Sequence, residues 1–306
     1  MNITVVLNQM IVLFIVMVIG YVASKNNILD EYVNKKISSL LLNITSPALV
    51  LSSVLNQSKM GNSKLVLNVV ILGVILYAVL PFIGIFLSKV LRVSKEDEKL
   101  YQFMTIFGNT GFMGFPVIQS IFGTEAVFFA AIVNLIFSAL CYSYGLYLIC
   151  DNGKVNFDYK KLINPGIICS IISIIIYITK INVPVIIKET TSLVGNITTP
   201  LAMILIGSSL AEIPMKEVFA EKRLYLFTFI KQIIIPIIFY LILRPIVSNE
   251  LILGVIVVIS AMPVATMTIM FCNEYGGNIN LASKTIFITT LSSVITIPTL
   301  VYLLFT

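Results

Sequence analysis

The 306-residue chain has no histidine, no tryptophan and little charge: twenty basic and fourteen acidic residues make up 11% of it, against 58% hydrophobic. Each shortage excludes something. A soluble domain carries about 25% charged residues, so a soluble enzyme, a nucleic-acid-binding module and a disordered chain are all excluded. The cysteines Cys141, Cys150, Cys169 and Cys272 show no C-x-x-C spacing. With histidine also missing, a zinc, haem or iron–sulfur site has no ligand set, so no metal or cofactor is expected. Neither a Ser–His pair nor an intramembrane aspartate pair is available, which speaks against an intramembrane protease. The net charge of +6 is read as loop lysines at a membrane surface, not as a nucleic-acid footprint.

Charge is absent from long runs: Met1–Ser24, Ile37–Ser58, Leu65–Ser88, Leu100–Thr124, Ala126–Cys150, Leu162–Thr179, Thr190–Ala211, Leu251–Asn273 and Thr285–Thr306, while Leu224–Leu243 is broken by Lys231 alone. A hydrocarbon core about 30 Å thick needs about 20 apolar helical residues, so each run is long enough to span a bilayer. The fold class expected is therefore an all-α integral membrane protein of ten transmembrane helices, spans 1 to 10. Met1–Met10 carries no charge and Lys25 follows the first apolar run, which is not the order of a secretory signal. Fourteen of the Lys and Arg residues fall in odd-numbered loops and five in even ones. The positive-inside bias then puts the odd loops in the cytoplasm and both termini outside, in a multi-pass protein of the plasma membrane.

A repeat divides the chain. Asn43-Ile44-Thr45-Ser46-Pro47 in span 2 returns as Asn196-Ile197-Thr198-Thr199-Pro200 in span 7, Pro81 of span 3 as Pro236 of span 8, and Phe115-Pro116-Val117 of span 4 as Met262-Pro263-Val264 of span 9. Three matches in one order give two five-helix units, 1–150 and 151–306. Because five is odd, the second enters the membrane inverted, the plan of secondary transporters with a substrate site at broken helices.

The strongest break signal is Phe107-Gly108-Asn109-Thr110-Gly111-Phe112-Met113-Gly114-Phe115-Pro116, since glycine and proline both disfavour continuous helix. A milder one is Ser260-Ala261-Met262-Pro263 with Thr266. An ordinary proline kink is the alternative for each. If both unwind at their prolines and cross, the half-helix N-termini favour a bound anion. The expected substrate site is Asn109, Thr110, Gly111, Gly114, Pro116, Asn134, Ser260, Ala261, Pro263 and Thr266. Asn43, Thr45, Ser46, Asn196, Thr198 and Thr199 either satisfy carbonyls freed by Pro47 and Pro200 or form an accessory polar or ion site. Lys231 lies about 10 Å inside its span, where it either snorkels to the headgroups or faces an anionic substrate. No acidic residue lies mid-span, which speaks against a carboxylate proton relay.

Asn109-Thr110-x-x-Met113-Gly114-x-Pro116 resembles the pattern of the auxin efflux carrier family, which includes the plant PIN-type carriers. Ala261-x-Pro263, Glu274-Tyr275, Ile297-Pro298-Thr299 and the pair Pro200 and Gly207 are similar to its other motifs, so the likeness runs the length of the chain. The resemblance implies a fold like that of bile-acid transporters and sodium/proton antiporters. Spans 1, 2, 6 and 7 would form a scaffold and homodimer contact, and spans 3–5 and 8–10 a mobile elevator-type body with spans 4 and 9 crossing. It implies an organic carboxylate substrate, auxin-like or malate/malonate-like, moved by alternating access. A sodium-coupled symporter of bile-acid type and a non-transporting sensor or scaffold are the alternatives. The short Asp151–Lys161 connection suits a prokaryotic member and departs from the long hydrophilic loop of plant carriers.

Overall fold

The computed structural model describes residues 3–57, 62–149, 164–213 and 221–305. Cys150, the Asp151–Lys161 connection, Lys59 and Lys216 lie outside them. Among the described residues the structure is helical, with one isolated β-bridge and no strand. In chain order the helices are α1 (Ile3–Lys25), α2 (Glu31–Leu55), α3 (Ser63–Val90), α4 (Glu98–Ile106), α5 (Thr110–Phe122), α6 (Thr124–Ile149), α7 (Pro165–Thr179), α8 (Val185–Ala211), α9 (Lys222–Leu243), α10 (Glu250–Ala261), α11 (Met267–Tyr275) and α12 (Ile279–Phe305). Six of them, α2, α3, α6, α8, α9 and α12, are long and apolar enough to cross a bilayer, and shorter apolar segments accompany them.

Large apolar side chains cover the outside: Phe82 is 74% exposed, Ile186 77%, Leu193 73% and Ile295 71%. Such a surface suits hydrocarbon, not water. Inside lie hydroxyls and amides of Thr45, Thr105, Asn109, Thr198, Gln232, Thr285, Thr289 and Ser293. The chain is an integral membrane protein that turns apolar residues to lipid and holds a set of hydroxyls and amides within a largely apolar core.

Proline shapes the helices in two ways. Pro47, Pro116 and Pro236 each occupy the second residue of the α-helical stretch that follows a π-helical turn, at Leu41–Thr45, Thr110–Gly114 and Ile230–Ile234. Proline has no N–H to give and crowds the carbonyl four residues back; the wider π turn accommodates both. Pro81 and Pro298 sit within uninterrupted helices. At Pro200 the helical hydrogen-bond ladder is instead interrupted at Ile197, whose backbone keeps helical angles (φ −67°, ψ −25°), between the two parts of α8.

Contacts between helix ends sort by face. Lys25 Nζ donates to Ala211 O at 2.8 Å, Asn34 Nδ2 to Glu212 Oε1 at 2.7 Å, and Asn278 Nδ2 to Asp97 Oδ1 at 3.1 Å. A polar cleft of about 180 Å³ beside this last pair gathers Ser94, Glu221, Arg223 and Lys284. Another set joins Asn56 Nδ2 to Ser192 Oγ at 3.1 Å and Gln57 Nε2 to Glu125 O at 2.8 Å. The longest shared contact runs between α1 and α8, where a Cβ on Gly20 would collide with Ile204 O and one on Gly207 with Met17 O.

Candidate functional site: two broken helices that cross

Span 4 is split into α4 and α5, and span 9 into α10 and α11. The two interruptions lie against each other as a short antiparallel pair, Gly108 opposite Val264. Asn109 N–H donates to Pro263 O at 2.7 Å, and Ala265 N–H donates to Phe107 O at 3.1 Å. Backbone groups that leave a helix inside a membrane need new partners, and here each break supplies the other's. The approach at Gly108 is close: a Cβ there would stand 3.1 Å from Met262 Cβ and 3.2 Å from Met262 O, tight enough that a neighbour would have to give way by a few tenths of an ångström.

The second break contains Pro263, as its sequence implies. The first does not contain Pro116. It falls at Phe107–Asn109, and Pro116 lies beyond it within α5, where the π turn absorbs the missing donor. The register between the two units changes accordingly. Pro116 and Pro263 differ by 147, whereas 107, 108 and 109 correspond to 263, 264 and 265, an offset of 156. Under that offset the two crossing hydrogen bonds exchange with one another.

Asn109 is the central side chain. It is 4% exposed and caps α5, accepting from Phe112 N–H through Oδ1 at 3.2 Å. Its Nδ2 is buried and donates to nothing. Thr110 Oγ donates to Asn134 Oδ1 at 2.7 Å, so the structure joins α5 to α6 at this point. Gly111 faces open space, since a Cβ there would meet nothing within 4 Å, while Gly114 packs towards Asn109 O. Ala261 ends α10, fully buried, and the Ser260 hydroxyl turns back to Val257 O at 2.7 Å. Thr266 is half-buried at the start of α11.

The repeated Asn-Ile-Thr segments behave alike in part. Asn43 and Asn196 are exposed, and Asn43 Nδ2 is tied to Ser39 O at 2.9 Å. Thr45 and Thr198 are buried with hydroxyls that have no partner. Ser46 is buried beside Thr45, and Thr199 Oγ donates to Gln119 Oε1 of α5 at 2.7 Å.

Lys231 does not snorkel. It is 2% exposed, and its ammonium donates to Thr105 O, at the end of α4, at 2.8 Å. Its neighbour Gln232 donates to Thr289 O at 2.6 Å and accepts from Thr296 Oγ at 3.1 Å. Thr289 Oγ in turn accepts from Val264 N–H at 3.2 Å. Adjacent residues of α9 thus brace both breaks. Sequence reading missed Thr105, Gln119, Gln232 and Thr289. A signal existed for Thr289, which follows Asn134 by 155, the offset that separates Pro81 from Pro236.

A groove of about 520 Å³ between α1 and α12, lined by Ile11, Phe14, Ile15, Val18, Ile295 and Pro298 among others, is apolar and distant in chemistry from the crossing. The crossing instead combines an unpaired buried amide, Asn109 Nδ2, with the N-terminal ends of α5 and α11.

Comparison with known proteins agrees with this architecture. The family described as "Membrane transport protein" matches residues 5–159 and 154–301. The chain is 28% identical to "Uncharacterized transporter MJ1031" of Methanocaldococcus jannaschii over 302 residues, covering 95% of this chain and 96% of that one. It is 22% identical to "Uncharacterized transporter YfdV" of Escherichia coli K12 over 311 residues, covering 97% and 96%. A transport protein and not an enzyme is what these matches describe, and the chain belongs to the membrane transport protein family, the auxin efflux carriers that its Asn109–Pro116 motif resembles.

Proposed function

We propose that the protein carries an organic carboxylate anion, auxin-like or malate/malonate-like, across the plasma membrane by alternating access, and that the anion binds where the two broken helices cross. The observation that carries this reading is Asn109 Nδ2, a buried donor without a partner at the N-terminus of α5. Buried donors are nearly always satisfied. The N-termini of α5 and α11 both begin at the crossing and add partial positive charge there. A carboxylate accepts from such groups, whereas a cation or an apolar solute does not.

The same reading treats α4 with α5 and α10 with α11 as single crossings, giving ten spans in two inverted sets. The pairing of helix ends supports it: Lys25 and Asn34 meet Ala211 and Glu212, and Asp97 meets Asn278, all from odd loops. Asn56 and Gln57, just past the end of α2, meet Ser192 of α8 and Glu125 at the start of α6, on the side of the even loops. On a cysteine-free background, Asn280→Cys is expected to react with an impermeant maleimide only from the cytoplasm, and Ser248→Cys only from outside. Reaction of both from one side would break the topology.

Flux tests the site. Purified protein on a solid-supported membrane, challenged with a panel of mono- and dicarboxylates, is expected to give a transport current for at least one. Asn109→Ala should lower that flux by about tenfold or more, because a hydrogen bond to a charged group contributes about 1.5–3 kcal/mol. Wild-type flux in a well-folded Asn109→Ala protein would remove Asn109 from the site.

A further inference from the structure

The bonds and close passes of the structure sort its helices into two sets. α1, α2, α7 and α8 hold one another: a Cβ on Gly20 would strike Ile204 O, one on Gly195 would stand 2.8 Å from Leu49 Cα, and Ser173 Oγ donates to Val50 O at 3.4 Å. α3–α6 and α9–α12 hold one another through the crossing and through the bonds of Lys231 to Thr105 and Gln232 to Thr289. Part of the seam between the sets is apolar, as in the groove of Ile11, Phe14 and Ile295 between α1 and α12. On the even-loop side of the crossing, polar and aromatic contacts bridge it. Gln57 Nε2 donates to Glu125 O at 2.8 Å, Thr199 Oγ donates to Gln119 Oε1 at 2.7 Å, and the rings of Phe128 and Tyr177 stack with centroids 4.7 Å apart. At the odd-loop face, by contrast, Lys25 meets Ala211 and Asn34 meets Glu212 within the first set, and Asn278 meets Asp97 within the second.

The repeat gives the first of these bridges a counterpart. Gln57 lies just past the end of α2, and Glu125 is the second residue of α6. The offset of 155 that relates Pro81 to Pro236 carries them to Glu212, just past the end of α8, and to Asn280, the second residue of α12. Both places in the helices are matched, on the opposite face. We propose that the two pairs are alternate latches: Gln57 with Glu125 closes the even-loop side in the form seen here, and Glu212 with Asn280 closes the odd-loop side in the opposite form. The inference rests on the carrier reading and the inverted plan above. In the present form Glu212 is held by Asn34, and Asn280 stands exposed at the polar cleft with Asp97 and Lys284. The Glu212 carboxylate can accept from the Asn280 amide once the second set moves towards it. One or two net hydrogen bonds are weak enough to open in every cycle, yet strong enough to bias which form is populated.

The test reads the movement itself, in full-length protein reconstituted in liposomes. On a cysteine-free background, the pair Glu212→Cys and Asn280→Cys is treated with a short bismaleimide, and the intramolecular crosslink is quantified by mass spectrometry. It is expected to form slowly, and about fivefold or more faster when Gln57→Ala and Thr199→Val remove both bridging hydrogen bonds, the scale of two such bonds. The pair Gln57→Cys and Glu125→Cys, in a separate protein, is expected to join faster than the Glu212 and Asn280 pair. A Glu212–Asn280 crosslink that forms equally fast with and without the bridging bonds overturns the proposal, as does one that forms in neither protein or outpaces the Gln57–Glu125 crosslink. Should the protein lacking both bonds not fold, Gln57→Ala alone decides: a gain of about twofold or more is expected, and no gain overturns the proposal. Crosslinking needs no substrate, so failure to find any carried carboxylate would count against the carrier reading alone.

Discussion

The chain passes itself at backbone distance in several places, and two of them work by opposite means. Between α1 and α8, Gly20 and Gly207 let two helices touch while each keeps its own hydrogen bonds. At the two glycines no backbone bond is exchanged, close packing of small residues holds the helices together, and the link from Lys25 Nζ to Ala211 O lies out at their ends. At the crossing of Phe107–Asn109 with Pro263–Ala265 the helices give up internal bonds and trade them for bonds to one another. That exchange is incomplete. It leaves Thr105 O and Val264 N–H to Lys231 and Thr289, and it leaves Asn109 Nδ2 to nothing within the protein. The first contact is self-sufficient and suits a fixed frame. The second has unmet polar capacity, which is what a binding site requires.

Substitutions can break this contrast. The largest effect is expected for Gly207→Val, whose side chain would drive into Met17 O and separate α1 from α8. Overpacking of this kind costs about 3 kcal/mol or more when backbone stands in the way, and folded, monodisperse protein should be largely lost on size-exclusion chromatography. A well-behaved Gly207→Val would show that the frame is not rigid. A smaller effect is expected for Thr289→Val, which keeps the shape but strands Val264 N–H, at about 1–3 kcal/mol. Its melting temperature should fall while the protein still folds, with flux reduced. An unchanged melting temperature would mean that the second break does not depend on α12.

Much of this was legible in the sequence, and the failures are instructive. Apolar runs marked the helices, and the cluster from Phe107 to Pro116 marked the first break. Its position was misread because proline was taken as the point of unwinding. A proline only asks for relief of one missing donor, and the π turn before Pro116 provides it; the true break sits at Gly108, which pairs with Val264 and leaves little room for a Cβ beside Met262. The direction of Lys231 was not legible either, because a lysine that far into a span reaches headgroups or interior equally well. The deciding factor is the carbonyl of Thr105, released by a bond between residues 154 apart, Asn109 and Pro263. Thr289, by contrast, was missed although the offset of 155 that relates Pro81 to Pro236 leads from Asn134 to it.

The offset of 156 at the crossing carries one more consequence. Its two main-chain bonds map onto each other, so under the inverted plan proposed above the crossing would present the same backbone scaffold to either side of the membrane. In a carrier, the inward-open and outward-open forms would then start from nearly equal energies, with neither favoured by the backbone itself. Any preference would then come from side chains that lack a like counterpart, and Lys231, which falls at the repeat offset from the apolar Leu76, is one such inequality. Directional bias in this protein would be adjustable at such positions while the main-chain bonds of the crossing stay as they are.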